Sequence, residues 1–377
     1  MAYILNEEQE LLRDSAKDFL ADRSPVSALR SLRDKGEEWS AELWAEMAEM
    51  GWAGIVVPEE YGGLEFGYIG AGLLAEECGR SLATSPFLSS ALVCSSLVAG
   101  LGNDDQKSEL LPAMAAGELI LALAAHEPGA SSVENTALVA RANGDGFVLD
   151  GTKTFVIDGG MAHKFLVLAR TAGEPGEQDG LSLFMLDRNA DGLEVSAQLN
   201  ADNHRPVELV FNGVKVKAED CLDQQGGLWS QLQKALDIGA ACTASEMLGI
   251  ADESFVRTVE YLKERKQFGV PVGSFQALQF RCAELFSELQ LCRSAVLAAL
   301  DAIDGDSDDR SLLASLAKAK CGNIANLAVN EAVQMHGGIG MTDELDIGFF
   351  MKRAASARQE YGDSYYHSDR FARLRGY

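Results

Sequence analysis

A helical hydrophobic period running from about Leu228 to Gly269 constrains this chain more than any other feature. Leu232, Leu236, Leu248, Ala251, Phe255, Val259 and Leu262 recur at the spacing of one helix face, and such a stripe has to be buried against other helices. Two more long helical patterns follow, Phe280–Ile303 and Leu312–Met335, divided by the acidic loop Asp304–Arg310. The C-terminal part therefore reads as a helical bundle. The first pattern ends in Tyr261-Leu262-Lys263-Glu264-Arg265-Lys266-Gln267-Phe268-Gly269, with Phe275-Gln276 opening the next. The third runs into Gln334-Met335-His336-Gly337-Gly338-Ile339-Gly340, where glycines let a backbone come close to something bulky and anionic.

The N-terminal part is helical too. Asn6 followed by Glu7, Glu8 and Glu10 is a helix start, and Leu11, Leu12, Ala16, Phe19 and Leu20 continue it as a stripe. A second helix is expected from about Ser40 to Gly51, and others through Ala71–Cys78, Ser89–Gly100 and Gln106–Ala116. Near residue 120 the texture changes. Asn143-Gly144-Asp145-Gly146 between two β-rich runs is a hairpin signal. Thr152–Ile157, Phe165–Ala169, Leu181–Leu186, Leu193–Val195 and Val207–Val216 follow as short strands, which suits a small antiparallel sandwich or barrel. The expected organisation is a helical domain over 1–120, a β domain over 121–222 and a helical domain over 223–377.

Composition narrows the function classes. Among 377 residues, 47% are hydrophobic and 24% charged, as in a soluble globular protein. No apolar run reaches the roughly 18 residues a membrane span needs. The start, Met1-Ala2-Tyr3-Ile4-Leu5-Asn6, has neither a basic segment nor an apolar one, so a cytoplasmic location is expected. The formal charge of −25 argues against nucleic acid as a partner. Seven scattered cysteines with no CxxC pair suggest reduced, buried thiols rather than disulfides or zinc.

The two glycine- and glutamine-bearing runs resemble the flavin-contacting segments of the acyl-CoA dehydrogenase family. The likeness extends over nearly the whole chain: Gly51–Gly63 resembles the family's N-terminal loop, Glu127-Pro128-Gly129-Ala130-Ser131-Ser132 its middle-domain turn, and Gly151-Thr152-Lys153 its middle strand pair. The resemblance implies an N-terminal helical domain, a middle antiparallel β domain and a C-terminal four-helix bundle, with FAD as cofactor. It implies α,β-dehydrogenation of an acyl-CoA thioester, a base removing the Cα proton while hydride leaves Cβ for the flavin. By the same resemblance Arg265 and Gln267 contact the FAD pyrophosphate, Phe268 packs beside the cofactor, and Gln276 belongs to the same set. Gln334, Gly337 and Gly338 hold the adenosine half of FAD bound by a neighbouring protomer.

Departures from the family pattern are as informative. The usual base position falls on Tyr361, and the alternative position used by a minority of the family falls on Gly239, followed by Ala240 where an Arg is common. Glu360 and Asp363 flank the first position and are the remaining acids. On the expected flavin face, His126 stands for a Thr, Phe155 for a Trp and Ile157 for a Thr, with Ser132 nearby. Losing a hydroxyl donor beside buried flavin atoms costs roughly 1–3 kcal/mol. Residues serving a neighbour's flavin are kept, while those holding and using the chain's own are changed. The chain is therefore similar to the small subunit of two-component enzymes of the pimeloyl-CoA dehydrogenase type. That resemblance implies a homologous large subunit, a tetramer, an acyl-CoA substrate in fatty acid metabolism and an electron-transfer flavoprotein as electron acceptor. A self-sufficient homotetramer with a relocated base and a non-enzymatic assembly partner stay open. The acyl chain is not specified by the sequence.

Overall fold

Helix-start chemistry lays down the first layer. The computed structural model describes residues 4–130, 132–223 and 226–377. Asn6 caps α1 (Glu7–Arg23) reciprocally, its side chain accepting from the Gln9 N–H while the Gln9 side chain accepts from the Asn6 N–H. Ser40 caps α3 (Ala41–Glu49) through the Leu43 N–H. Between them lies α2 (Val26–Lys35), ended by Gly36 in the left-handed region. The layer continues with α4 (Tyr68–Ser81), a π-helical stretch Phe87–Cys94 leading into α5 (Ser95–Leu101), and α6 (Asp104–Ala115).

One seven-stranded sheet forms the middle: β1 (Leu121–Ala124), β2 (Val139–Asn143), β3 (Gly146–Val156), β4 (Lys164–Arg170), β5 (Leu181–Asp187), β6 (Leu193–Ala197) and β7 (Val207–Lys217). The hairpin closes with Asn143 opposite Gly146 and Gly144 at φ 64°. Two readings need correction. The expected strand pair on either side of Gly151 is one long strand, β3, bent by register shifts at Leu149/Asp150 and Lys153/Val156. The sheet is also mixed: β1 runs parallel to β4, and β2 meets β4 in parallel at Val139 and Arg170. The Leu-Ala-Leu-Ala of β1 carries no alternation to read, because its edge is covered; its Leu121 N–H donates to Ser90 Oγ in the π-helical stretch at 3.0 Å.

The C-terminal layer is α7 (Leu228–Glu264), a tight hairpin of β8 (Lys266–Gln267) and β9 (Val270–Pro271), α8 (Gln276–Asp304), α9 (Arg310–His336), α10 (Ile347–Ala357) and α11 (Ser364–Leu374). Helices α4 and α7 cross backbone to backbone. A Cβ on Gly249 would lie 1.9 Å from the Glu76 carbonyl, and one on Gly79 2.1 Å from that of Glu246, so only glycine permits the approach. A core cluster joins α1–α4 to α7–α10. A second packs β4 and β5 against α5, α6 and the start of α7. Thus α7 begins beside the sheet and ends far from it, about 39 Å along its axis between Gly239 and Arg265 at the standard helical rise. No helix among the described residues is long and apolar enough to cross a membrane.

Candidate functional site

A cleft of about 350 Å³ opens where the three layers meet. One wall is the segment after β1 with His126, Ser132 and Val133; the second is Gln233 and Leu236 of α7; the third is the turn Gln359–Asp363 with Tyr366, His367 and Arg370 of α11. Ser131 lies outside the described residues. The first wall is fixed by a buried ion pair. Lys153 Nζ donates to Glu127 Oε1 at 2.7 Å and to the Ala125 carbonyl at 3.1 Å, and Glu127 also accepts from the Ala137 and Leu138 amides. Burial pulls Lys153 down to about 8 against the opposing pull of Glu127. Burial, and next the Lys153 charge, lower His126 as well, so it faces the cleft as a neutral imidazole.

The two expected base positions meet in space. Gly239 of α7 lies under the ring of Tyr361: a Cβ on Gly239 would sit 2.5 Å from Tyr361 Cδ1 and 2.6 Å from Cε1. Burial, reinforced by Asp158 and Cys94, pushes the Tyr361 phenol well above its usual range, so it offers no base. The turn that carries it is pinned from both sides. Lys318 Nζ, pulled down to about 7 by burial, donates to the Ala357, Arg358 and Gly362 carbonyls. His367 Nε2 lies 2.9 Å from the Tyr361 carbonyl and therefore donates to it, leaving Nδ1 to accept from Ser315 Oγ at 3.3 Å. Burial and Lys318 hold His367 down to about 3. Ser315 also accepts from Arg370, whose guanidinium pairs with Asp237 at 2.7 Å.

Neither flanking acid is free. Asp363 caps α11, its Oδ1 accepting from the Tyr366 N–H at 2.8 Å. Glu360, 3% exposed, lines a separate narrow cavity of about 20 Å³ that also takes in Ile157. There Arg353 binds three carboxylates at once: Glu246 at 2.6 and 2.8 Å, Glu360 at 2.6 and 3.1 Å, and Asp202 at 3.1 Å.

Beside this cluster Ser89 Oγ donates to Asp158 at 2.6 Å, and His204 Nδ1 is 3.5 Å from the other Asp158 oxygen. Burial and Arg353 press His204 downward, but Asp158 and Asp202 outweigh them and raise it to about 8. The folded chain thus holds a proton that the unfolded chain releases near 6.5. This stabilisation is complete below pH 6.5 and disappears as pH rises through 8. Replacing His204 by Gln should flatten the decline of stability between pH 6.5 and 8.5 by up to about 2 kcal/mol, read by urea unfolding across that range. An unchanged pH profile in H204Q would remove His204 as its source.

The other residues singled out in the sequence gather at the far end of α7. Arg265, Gln267, Phe268, Gln276, Gln334, Gly337 and Gly338 are all exposed. They form one patch because Tyr261 stacks on His336 at 4.4 Å and donates to its carbonyl, drawing the glycine turn beside the end of α7. A Cβ on Gly337 or Gly338 would meet nothing within 4 Å. At the tip of the β8–β9 hairpin, Phe268 is 93% exposed with φ 53°, a conformation costing a non-glycine residue about 1–2 kcal/mol. Phe155 and Tyr361, two of the six other non-glycine residues with positive φ among those described, lie on the expected flavin face and base position.

Sequence reasoning missed Asp237, Arg353 and Arg370. The available signal was a lone acid, Asp237, inside an apolar helix face, which has to find a cation when buried.

Family models match three consecutive stretches: acyl-CoA dehydrogenase N-terminal domain over 6–118, middle domain over 122–214 and C-terminal domain over 226–373. The 3-(aryl)acrylate reductase of Clostridium sporogenes is 31% identical over 90% of this chain and 91% of its own length. Among solved structures, butyryl-CoA dehydrogenase from Megasphaera elsdenii superposes with a TM-score of 0.91 at 25% identity, covering 99% of both chains. A Tcur3481–Tcur3483 steroid ACAD variant gives 0.86 at 28%, covering 98% of this chain and 97% of that one.

Proposed function

The chain belongs to the acyl-CoA dehydrogenase family, oxidoreductases acting on CH–CH bonds, and from that premise we propose that it is the half of a heteromeric, FAD-dependent enzyme that completes a partner subunit's cofactor site. One observation carries this reading. The cofactor residues at the C-terminal end of α7 stay exposed and available, while the cleft offers no uncommitted carboxylate among its described lining residues, Asp363 capping α11 and the neighbouring Glu360 bound to Arg353.

The far patch suits the nucleotide half of FAD: Arg265 offers a guanidinium fork for the pyrophosphate, and Gly337 and Gly338 leave room for close backbone approach. The chain's own expected flavin face suits the ring half less well, since Phe155 and Ile157 supply no hydroxyl donor, and neither residue lines the cleft. FAD, when bound, supplies the hydride acceptor. The Cα proton needs a carboxylate; with Glu360 paired and Asp363 capping a helix, the partner provides it. A homologous large subunit is the expected partner, and an electron-transfer flavoprotein the expected electron acceptor. The pairing of two gene products in the name of the steroid ACAD relative supports a two-component arrangement.

Expression of the chain alone and together with the product of the adjacent gene tests this directly. Alone, it should hold little flavin and reduce no dye on addition of acyl-CoA; together, both signals should appear. Full flavin occupancy and turnover in the isolated chain would reject the accessory role.

A further inference from the structure

We propose that Tyr361 is a built-in plug that closes this chain's own acyl channel, so that the cleft accepts a CoA-like ligand without admitting the acyl chain attached to it. The inference rests on the reading above. Three observations carry it. The ring lies against Gly239, at the one point where the two base positions of the fold converge, which is where the reacting carbons of a thioester have to pass. Beyond Gly239 the ring packs on a fully buried aliphatic wall that includes Cys94, Leu97, Leu232 and Ala235. Finally, the side chain is held in place. Its φ of 54° is unfavourable for a bulky residue, and such strain persists where the surroundings over-determine it.

The restraints are specific. His367 holds the Tyr361 carbonyl, Lys318 holds that of Gly362, and Asp363 starts α11 immediately after. The chain Asp237–Arg370–Ser315–His367 then ties this turn back to α7 two residues before Gly239. Both halves of the ring–glycine contact therefore belong to one polar network. A tyrosine that merely swung over an open channel would not need its backbone clamped on both sides.

The test is calorimetric titration of the full-length chain with CoA, butyryl-CoA and palmitoyl-CoA. The wild type should bind all three within twofold, and failure to bind CoA would overturn the proposal. In Tyr361→Ala, affinity should rise at least tenfold from CoA to palmitoyl-CoA. Tightening of that size with chain length in the wild type, or its absence in the variant, would overturn the plug. A second measurement tests the ring–glycine packing itself, and the wild-type titration above stands whether or not Tyr361→Ala folds. Gly239→Ala should lower the melting midpoint in the wild type, where its Cβ meets the ring, and raise it in the Tyr361→Ala background, where a helix interior gains from alanine. The same sign in both backgrounds would also reject the packing. The two ideas fail separately: full flavin and turnover in the isolated chain sink the accessory role, whereas acyl-length dependence of wild-type binding sinks the plug alone.

Discussion

Replacing Arg353 by Met is expected to cost the fold about 3–5 kcal/mol at neutral pH, the usual loss when one member of a buried ion cluster is removed. The arginine makes five hydrogen bonds to Glu246, Glu360 and Asp202, and without it three carboxylates face one another in a buried junction. The penalty is mainly that of the stranded anions. It should therefore shrink in acid, where lowering the pH relieves the mutual repulsion of the stranded carboxylates. Urea unfolding of Arg353→Met at pH 7.5 and 5.5 should show the smaller deficit at the lower pH. Adding Glu360→Gln should recover part of the loss at pH 7.5. A deficit under 1 kcal/mol, or one independent of pH, would mean that the cluster does not bind these layers. Because Glu360 precedes Tyr361, the variant should also loosen the turn closing the cleft.

Much of this architecture was legible because local chemistry and tertiary burial agree. Asn6 and Ser40 cap helices as their spacing indicates, and Asn143-Gly144-Asp145-Gly146 makes the hairpin its composition calls for. Where the two disagreed, reading failed. Strand β1 has no alternation because a π-helical stretch covers it, and α2, α10 and α11 are short helices whose stripes are too brief to separate from loops. The site divides in the same way. Arg265 and the glycine turn stand out in the sequence as motifs, and the structure brings them side by side at the end of α7. The convergence of Gly239 with Tyr361, and the pairing of Glu246 with Arg353, depend on side chains meeting across 107 or more residues of chain. Local periodicity carries no information at that range.

The second large effect is expected at the far end of α7 and concerns the cofactor rather than the fold. Arg265→Ala in the assembled enzyme should weaken flavin binding about tenfold to a hundredfold, since a charge-assisted hydrogen bond contributes about 1.5–3 kcal/mol. Arg265 is exposed, and a surface truncation of this kind shifts folding stability by no more than about 0.5 kcal/mol. Loss of flavin with an unchanged melting midpoint of the isolated chain is thus the signature of a contact made across the subunit boundary. Phe268→Asn sharpens the comparison. Asparagine tolerates the left-handed conformation that phenylalanine adopts there at φ 53°, so the isolated chain should gain about 1 kcal/mol while the assembly loses flavin. A residue that is costly in the free subunit and useful only in the complex has to show these opposite signs. Lys263→Ala, two residues earlier and paired with Glu260, should change neither. If Arg265→Ala and Phe268→Asn leave flavin content untouched, the patch is an ordinary surface, and the cofactor site has to be sought within a single protomer.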